Sequence, residues 1–351
     1  MHRPRNVVLV PWLLATVLGL GLGAAPPVPA AEFTLKIATV APDRTPWAEL
    51  LARYEKEVEK SSGGRLEVRV YLGGIKGDEQ SIVRQVFRGD SLQMGGVSTA
   101  AMATVVPDVD ILELPYLFDS PEEADRILDG PARPILERML EAKGMKLLMY
   151  SENGYRSFGT RFGFVRRPAD LKARKMRSQE SEVHVETYRA LGASPIGIAV
   201  SEVLSALETG VVEGFDNTPL FTFASGWYQA ISYYTVSEHI YQPALLVVNK
   251  AWWDALPPEL QQVLLAPAAR LQQKGREAVR ALQPALLENF EAVEVKVYRL
   301  TEQEKEAFRA ATRPVWDRRR ASAGPDGKAL LDAILKAKQQ APAGAPGGSS
   351  G

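Results

Sequence analysis

The fold class of this 351-residue chain follows from three adjacent stretches: L-K-I-A-T-V (35–40), W-A-E-L-L-A-R-Y-E-K-E-V-E-K-S (47–61) and L-E-V-R-V-Y-L (66–72). Apolar residues alternate along the first and third stretches, which predicts two strands. They recur every three to four residues along the second, which predicts an amphipathic helix that ends at Gly63-Gly64. A strand, a helix and a second strand in this order predict a mainly parallel sheet with helices on its faces.

The alternation of strands and helices continues along the chain. We expect strands at 92–97, 146–150, 156–164, 194–199, 233–236 and 244–249. We expect helices at 79–88, 122–143, 181–191, 201–208 and 259–290. The second helix is expected to split near Pro131 and Pro134, the fourth to have Ser201 as its N-cap, and the fifth to be interrupted at Pro267 and Pro284. Two α/β units joined by crossing strands and one long helix predict two lobes with a cleft between them. Lobe I is expected at 32–153 plus about 242–281, and lobe II at 154–241 plus about 282–340.

The composition excludes several classes of function. The chain has no Cys, so thiol catalysis, Cys-ligated zinc, iron–sulfur clusters and disulfides are excluded. Its 42 basic residues balance 42 acidic ones, whereas a nucleic-acid partner requires a basic excess. No phosphate loop, nucleophile elbow or H-E-x-x-H motif occurs. We therefore expect a protein that binds a small ligand rather than an enzyme. We expect it to have no cofactor and no metal bound by its own side chains.

Conspicuous histidine, glutamate and aromatic residues are expected to have structural roles. His184 and His239 are too few for a His-rich metal site, and His184 is expected to be a surface or packing residue. Glu180 and Glu182 lie two residues apart, so they do not face each other on a helix as an acid and base pair. The aromatic residues at 221, 223, 227 and 228 follow one helical face, which predicts helix core rather than a ligand platform.

The two ends of the chain differ from the rest. Arg3 and Arg5 precede an apolar run at 7–23, and small residues follow, which predicts a cleaved secretory signal peptide at 1–31. A retained membrane anchor is the alternative, but the run is short and rich in glycine. The tail at 341–351 contains only Ala, Pro, Gly and Ser, which predicts disorder. Because a secretory signal peptide directs export, the mature protein is expected outside the cytoplasm.

Several ordered motifs carry a resemblance to one family. They are V-P-D-V-D-I-L-E-L-P-Y-L-F (106–118), G-Y-R (154–156), R-P-A-D-L-K-A-R-K-M-R (167–177), A-L-G-A-S-P (190–195), S-E-V-L-S-A-L-E-T-G-V-V-E-G (201–214), F-D-N-T-P (215–219) and H-I-Y-Q-P-A-L-L-V-V-N-K-A-W-W-D-A-L-P (239–257). Over roughly residues 35–335 the chain resembles the solute-binding subunits of tripartite ATP-independent periplasmic (TRAP) transporters, the DctP family.

The resemblance implies a two-lobed fold like that of periplasmic binding proteins, which closes by a hinge on a small organic acid. It also implies a periplasmic location and delivery of the solute to the small and large permease subunits in the membrane. The protein itself is then either a monomer or a homodimer. Its ligand is a dicarboxylate, a keto or hydroxy acid, an aromatic acid or an amino acid derivative, bound directly or through a bridging metal.

The resemblance assigns three candidate ligand-binding residues in the second lobe. Arg177 matches the family's arginine that pairs with the ligand carboxylate, and a guanidinium fork fits a carboxylate bidentately. Asn217 matches an asparagine before a proline, and Arg156 matches a second arginine. Each has a structural alternative: Arg177 could pair with Glu180 or Glu182, Asn217 could cap a turn, and Arg156 could be a solvated cation at a strand edge.

In the first lobe, Glu79 and the pair Ser98 and Thr99 match turns that commonly reach the ligand in the family. The chain departs from the family pattern at 178–180 and 215–216, and both departures fall on expected pocket walls. The identity of the ligand therefore does not follow from the resemblance.

Two other functions fit the same pattern. One is a sensory subunit that presents the bound acid to a receptor, and the other is a secreted hydrolase or lyase on a two-lobed scaffold. Adjacent genes for membrane proteins of about 4 and about 12 spans would favour transport over sensing. Turnover of the bound ligand would favour the enzyme.

Overall fold

Nine strands form one continuous sheet within residues 31–340, the part of the chain that the computed structural model describes. The strands are β1 (Phe33–Thr39), β2 (Leu66–Tyr71), β3 (Met94–Ser98), β4 (Met145–Thr160), β5 (Lys175–Ser178), β6 (Ser194–Gly197), β7 (Gly214–Asn217), β8 (Tyr233–Asn249) and β9 (Lys296–Arg299). Their order is β2-β1-β3-β8-β4-β7-β5-β6, and β9 pairs with β8. Five of the eight pairings are parallel, so the predicted α/β class with a mixed, mainly parallel sheet is confirmed.

Helices flank this sheet. They are α1 (Pro46–Ser61), α2 (Glu79–Arg88), α3 (Thr99–Met102), α4 (Pro121–Asp129), α5 (Arg133–Glu141), α6 (Glu182–Ala190), α7 (Val203–Glu208), α8 (Pro219–Ala224), α9 (Lys250–Asp254), α10 (Pro258–Leu265), α11 (Ala268–Ala292), α12 (Glu302–Ser322) and α13 (Pro325–Gln339). Within residues 31–340, no helix is both long enough and apolar enough to cross a membrane. The predicted signal peptide, apart from Ala31, and the predicted tail lie outside the described residues.

Two strands are much longer than the sequence predicts. β4 joins the segments expected at 146–150 and 156–164, and β8 joins those expected at 233–236 and 244–249, so the prediction of four separate strands is wrong. β4 and β8 pair antiparallel along most of their length, with three register shifts that lie between residues 147 and 158 of β4. This pairing supplies the backbone hydrogen bonds that keep the polar middle of each strand extended.

Helix ends follow the predicted prolines but not the predicted cap. Pro131 lies between α4 and α5, and Pro267 lies between α10 and α11, whereas Pro284 lies inside α11. Ser201 is not the N-cap of α7: it lies in a 3₁₀ turn, and α7 begins at Val203 without a side-chain cap. The 3₁₀ turn satisfies the local backbone, so the hydroxyl is not needed there.

Both halves of the sheet are covered on both faces. In the β2-β1-β3 half, Tyr54 of α1 belongs to the cluster on one face and Val83 of α2 to the cluster on the other. In the β7-β5-β6 half, Phe215 packs in one cluster and Met176 in another. α11 contacts α1 in the first half and α8 in the second. β4, β8 and α11 are therefore the elements that run from one half to the other.

Candidate functional site

A cleft lies where the two halves of the sheet meet. Its wall contains five of the six predicted ligand-binding residues: Glu79, Ser98, Arg156, Arg177 and Asn217. Thr99 is not in the wall, because it is fully buried and its hydroxyl donates a hydrogen bond to Glu113. The fold thus brings together residues that are up to 138 positions apart (79 to 217).

Arg177 is a buried cation on β5, with 2% of its surface exposed. Its Nε donates to the carbonyl oxygen of Ile198 at 2.9 Å, and its guanidinium carbon lies 5.5 Å from the centre of the Trp227 ring. Within residues 31–340 it forms no salt bridge, and its Nη1 and Nη2 donate to no protein atom, so the alternative pairing with Glu180 or Glu182 is not formed. Both glutamates are exposed.

This environment makes Arg177 a strong site for an anion. Burial, together with the charge of Arg156, lowers the pKa of Arg177 to about 10, so the side chain is still a cation at neutral pH. A buried cation without a carboxylate partner has lost its hydration without compensation. A ligand carboxylate placed against Nη1 and Nη2 would supply two charge-assisted hydrogen bonds.

Arg156 is also buried, but its charge is already paired. Its Nε donates to Asp216 Oδ2 at 2.6 Å and its Nη1 to Gln242 Oε1 at 2.9 Å, so it is not the solvated strand-edge cation of the alternative interpretation. Burial alone would raise the pKa of Asp216, but Arg156 holds it well below its ordinary value. The charge of Arg156 is therefore balanced by Asp216, and its hydrogen bonds go to protein atoms.

Asn217 ends β7 and lines the cleft, and the next residue, Thr218, is the N-cap of α8. Its Oδ1 accepts from the backbone N–H of Thr218 at 2.8 Å, so the predicted turn role is present. Its backbone oxygen accepts from the Tyr234 hydroxyl at 2.7 Å. Among the described residues its Nδ2 donates to none, so the amide hydrogens are available to a ligand.

A hydrogen-bonded group crosses the cleft from Glu79 to Gln179. Glu79 Oε1 accepts from the backbone N–H of Ser98 at 2.7 Å, and Oε2 accepts from its hydroxyl at 2.9 Å. Gln179 Nε2 donates to Ser98 Oγ at 2.9 Å and to Glu79 Oε2 at 3.3 Å. Burial raises the pKa of Glu79 in spite of the Ser98 hydrogen bonds. Gln179 follows β5 whereas Ser98 ends β3, so this group ties one half of the sheet to the other.

Gln179 and Gln242 are not among the predicted ligand-binding residues, although the departure at 178–180 falls on an expected pocket wall. Gln242 Nε2 donates to Gln179 Oε1 at 2.8 Å and to Glu113 Oε2 at 2.6 Å. Glu113 also contacts His184 Nε2 at 2.6 Å. His184 is a buried residue, as expected of a packing position, but its partner is a carboxylate rather than an apolar surface. Position 242 stands inside the quoted motif 239–257, and that is the one signal that could have pointed to it.

The opposite wall of the cleft is apolar. It is formed by Val40, Trp47, Leu50, Val97, Phe221 and Leu246. The Trp47 indole N–H donates to the carbonyl oxygen of Glu152 at 2.7 Å, so its polar atom is already satisfied. Its ring centre lies 6.0 Å from that of Phe221.

The expectation that the four aromatic residues form one helical face is wrong. Phe221 lies on α8 and Trp227 on a separate 3₁₀ turn, because Gly226 adopts a left-handed conformation (φ 72°) between them. Phe221 lines the cleft, and Trp227 packs against the guanidinium of Arg177. Two of these aromatic residues therefore belong to the site or support it directly.

Within residues 31–340, no group of three or more His, Asp or Glu side chains is arranged to hold a metal ion. Among the described residues the site thus combines the free guanidinium hydrogens of Arg177, free amide hydrogens of Asn217 and Asn153, a group of polar side chains that bond to one another, and an apolar wall. This chemistry can bind an organic anion and orient it by its carboxylate.

Comparisons with known proteins identify the family of this chain. The model of the DctP family, described as "Bacterial extracellular solute-binding protein, family 7", matches residues 37–322. The C4-dicarboxylate-binding periplasmic protein DctP of Rhodobacter capsulatus is 30% identical over 318 residues, which cover 86% of this chain and 90% of that protein.

Two solved structures show how close the fold is. The sugar acid binding protein DctPAm from Advenella mimigardefordensis, in complex with galactonate, superposes with a TM-score of 0.83 at 29% identity, covering 88% of this chain and all of that one (100%). A TRAP periplasmic solute-binding protein from Ralstonia eutropha, with bound (S)-2-acetolactate, superposes with a TM-score of 0.80 at 27% identity, covering 86% of this chain and 99% of that one. Because the family model spans most of the sequence and the folds agree, this chain belongs to the DctP family of bacterial extracellular solute-binding proteins.

Proposed function

We propose that this protein captures a small solute through its carboxylate and delivers it to the membrane permease subunits of a TRAP transporter. The observation that carries the proposal is Arg177, a buried cation whose Nη1 and Nη2 find no partner among the described residues. A charged group is retained in such a place at a cost, and the ligand carboxylate offsets that cost.

The named relatives support a carboxylate as the shared feature of the ligand. They bind C4-dicarboxylates, galactonate or acetolactate, which differ in size and in the number of hydroxyl groups but all carry a carboxylate. Arg177 and Asn217 provide the donors for that common group. Arg156, paired with Asp216, lines the cleft wall beside them, and Glu79 and Ser98 shape the first-lobe side through Gln179.

We further propose that the two halves of the sheet are lobes, at 32–153 plus about 242–281 and 154–241 plus about 282–340. The boundary runs through β4, β8 and α11, and a few residues of these elements would serve as the hinge. A ligand held by residues of both lobes stabilises the closed form, because it makes its full set of contacts only there. The small and large permease subunits would then recognise the closed protein in the periplasm.

The site is proposed to hold its ligand without changing it. The chain has no Cys, and among the described residues no His lies in the cleft wall. The Ser98 hydroxyl beside Glu79 also accepts from Gln179 and from the backbone N–H of Ala101, so it is held as a structural group. Binding and release are therefore the whole of its chemistry.

The test is to purify the protein, denature it, and identify any co-purified small molecule by mass spectrometry. We expect a carboxylic acid, recovered unaltered after prolonged incubation with refolded protein. Recovery of a neutral or cationic ligand would contradict the carboxylate proposal, and a chemically altered acid above a no-protein control would favour an enzyme.

A further inference from the structure

We infer that the ligand is a monocarboxylate with an apolar chain and only one or two polar substituents beside the carboxylate, rather than a sugar acid or a dicarboxylate. This inference rests on the proposed function and names the class of acid. It follows from which polar atoms of the cleft are free and which are already used.

Most polar side chains of the cleft bond to one another. Gln179 donates both amide hydrogens, to Glu79 and Ser98, and its Oε1 accepts from Gln242. Gln242 in turn donates both of its amide hydrogens and accepts from Asn153 and Arg156. These groups have no hydrogen left to offer a ligand hydroxyl.

The free donors are few. Among the described residues of the cleft wall they include the Nη1 and Nη2 of Arg177, the Nδ2 of Asn217, the second Nδ2 hydrogen of Asn153 and the hydroxyls of Thr39 and Ser151. This set satisfies one carboxylate and one or two further oxygens. A hexonic acid carries five hydroxyl groups, and burying them without partners is costly.

The charges of the cleft also favour a single carboxylate. Arg156 is neutralised by Asp216 at 2.6 Å, so among the described residues Arg177 is the one cation of the cleft wall without a carboxylate partner. A second ligand carboxylate would face either the apolar wall or Glu79, and both disfavour an anion.

The apolar wall defines where the rest of the ligand lies. Val40, Trp47, Leu50 and Phe221 line the cleft, and the indole N–H of Trp47 is turned away to Glu152. An aliphatic or aromatic chain in contact with these side chains would gain affinity from each methylene that it buries, by about fourfold.

The experiment titrates refolded, ligand-free protein calorimetrically with pyruvate, 2-oxobutanoate and 2-oxopentanoate, and in parallel with galactonate, glucuronate and succinate. We expect the dissociation constant to fall about fourfold with each added methylene, and 2-oxopentanoate to bind at least tenfold tighter than the sugar acids and succinate. Equal dissociation constants for the three oxo acids, or tighter binding of galactonate, glucuronate or succinate, would overturn the inference while leaving carboxylate binding intact. If no acid of any class binds, the proposed function is contradicted as well.

A variant distinguishes the contact between the ligand chain and the apolar wall from the affinity of the site for the carboxylate. Val40→Thr keeps the shape of a half-buried cleft residue but adds a hydroxyl. We expect it to weaken 2-oxopentanoate about three- to tenfold and to leave pyruvate unchanged, whereas the matched exposed variant Val211→Thr changes neither. Unchanged 2-oxopentanoate binding in folded Val40→Thr would overturn the inference.

Discussion

The Nε atom of Arg156 lies 2.6 Å from Oδ2 of Asp216, and both side chains are almost completely buried. The Tyr188 hydroxyl donates to the other carboxylate oxygen of Asp216 at 2.9 Å. This pair neutralises one of the two arginines of the cleft. The neighbouring guanidinium of Arg177 is left as the cation that a ligand can reach.

Removing the carboxylate charge from this pair should destabilise the protein strongly. In Asp216→Asn, Arg156 becomes a buried cation without its counter-ion, so we expect a loss of about 3–5 kcal/mol of unfolding free energy in urea titrations. The matched control is Asp254→Asn, which breaks an exposed pair with Lys250 and should cost about 0–1 kcal/mol. Equal effects of the two substitutions would show that burial does not set the strength of the pair.

Gln179 should control closure of the cleft. Gln179→Ala removes the hydrogen bonds to Ser98 and Glu79 across the cleft, so we expect ligand affinity to fall about 5- to 30-fold. Small-angle scattering should show that wild-type protein becomes more compact with ligand, and that the variant needs more ligand for the same change. Gln273→Ala, on the surface of α11, is the control. A radius of gyration that does not respond to saturating ligand in the wild type would contradict hinge closure.

The cap of α12 should give a pH-dependent contribution to stability. Glu304 accepts the backbone N–H of Thr301 and also contacts Arg166 and Tyr298, and these hydrogen bonds lower its pKa to about 2. A lowered pKa stabilises the folded state above the unfolded value of 4.5, and this stability is lost as the pH falls toward 2.

We therefore expect Glu304→Gln to lower the unfolding free energy at pH 7 by about 1–2 kcal/mol, a figure reduced for solvent screening. The difference from wild type should shrink between pH 4.5 and pH 2. Urea titrations at pH 7 and pH 3 measure it, with Glu306→Gln on the exposed face of the same helix as control. A difference that does not depend on pH would contradict the role of the carboxylate charge.

Local patterns predict the shorter elements of this fold well. α2 is predicted at its observed bounds, and α1 differs from the prediction by one residue, because apolar spacing and glycine ends are local signals. β4 and β8 are each predicted as two strands, because Ser151, Glu152 and Asn153 resemble a loop. They are extended only because the two strands pair with each other, and that contact is made between distant parts of the sequence.

The site shows the same division between local and distant signals. The motifs place Arg177, Asn217, Arg156, Glu79 and Ser98 at the cleft wall, whereas Thr99 lies behind it. Gln179 is indicated only by the departure at 178–180 and Gln242 only by its place in the motif 239–257, since a glutamine acquires its role from the partners that the fold brings to it.

The most direct test is calorimetric titration of wild type, Arg177→Ala and Arg177→Lys with the co-purified acid. Arg177→Ala leaves a buried ligand anion without its partner, so we expect affinity to fall about 150- to 5,000-fold, or roughly 3–5 kcal/mol. Arg177→Lys keeps the charge but loses the planar fork, so its affinity should also fall clearly. Arg174→Ala, in the same segment but paired with Glu213 at the surface, should bind like wild type. Near-wild-type affinity in folded Arg177→Ala would contradict the assignment of Arg177 as the carboxylate-binding residue.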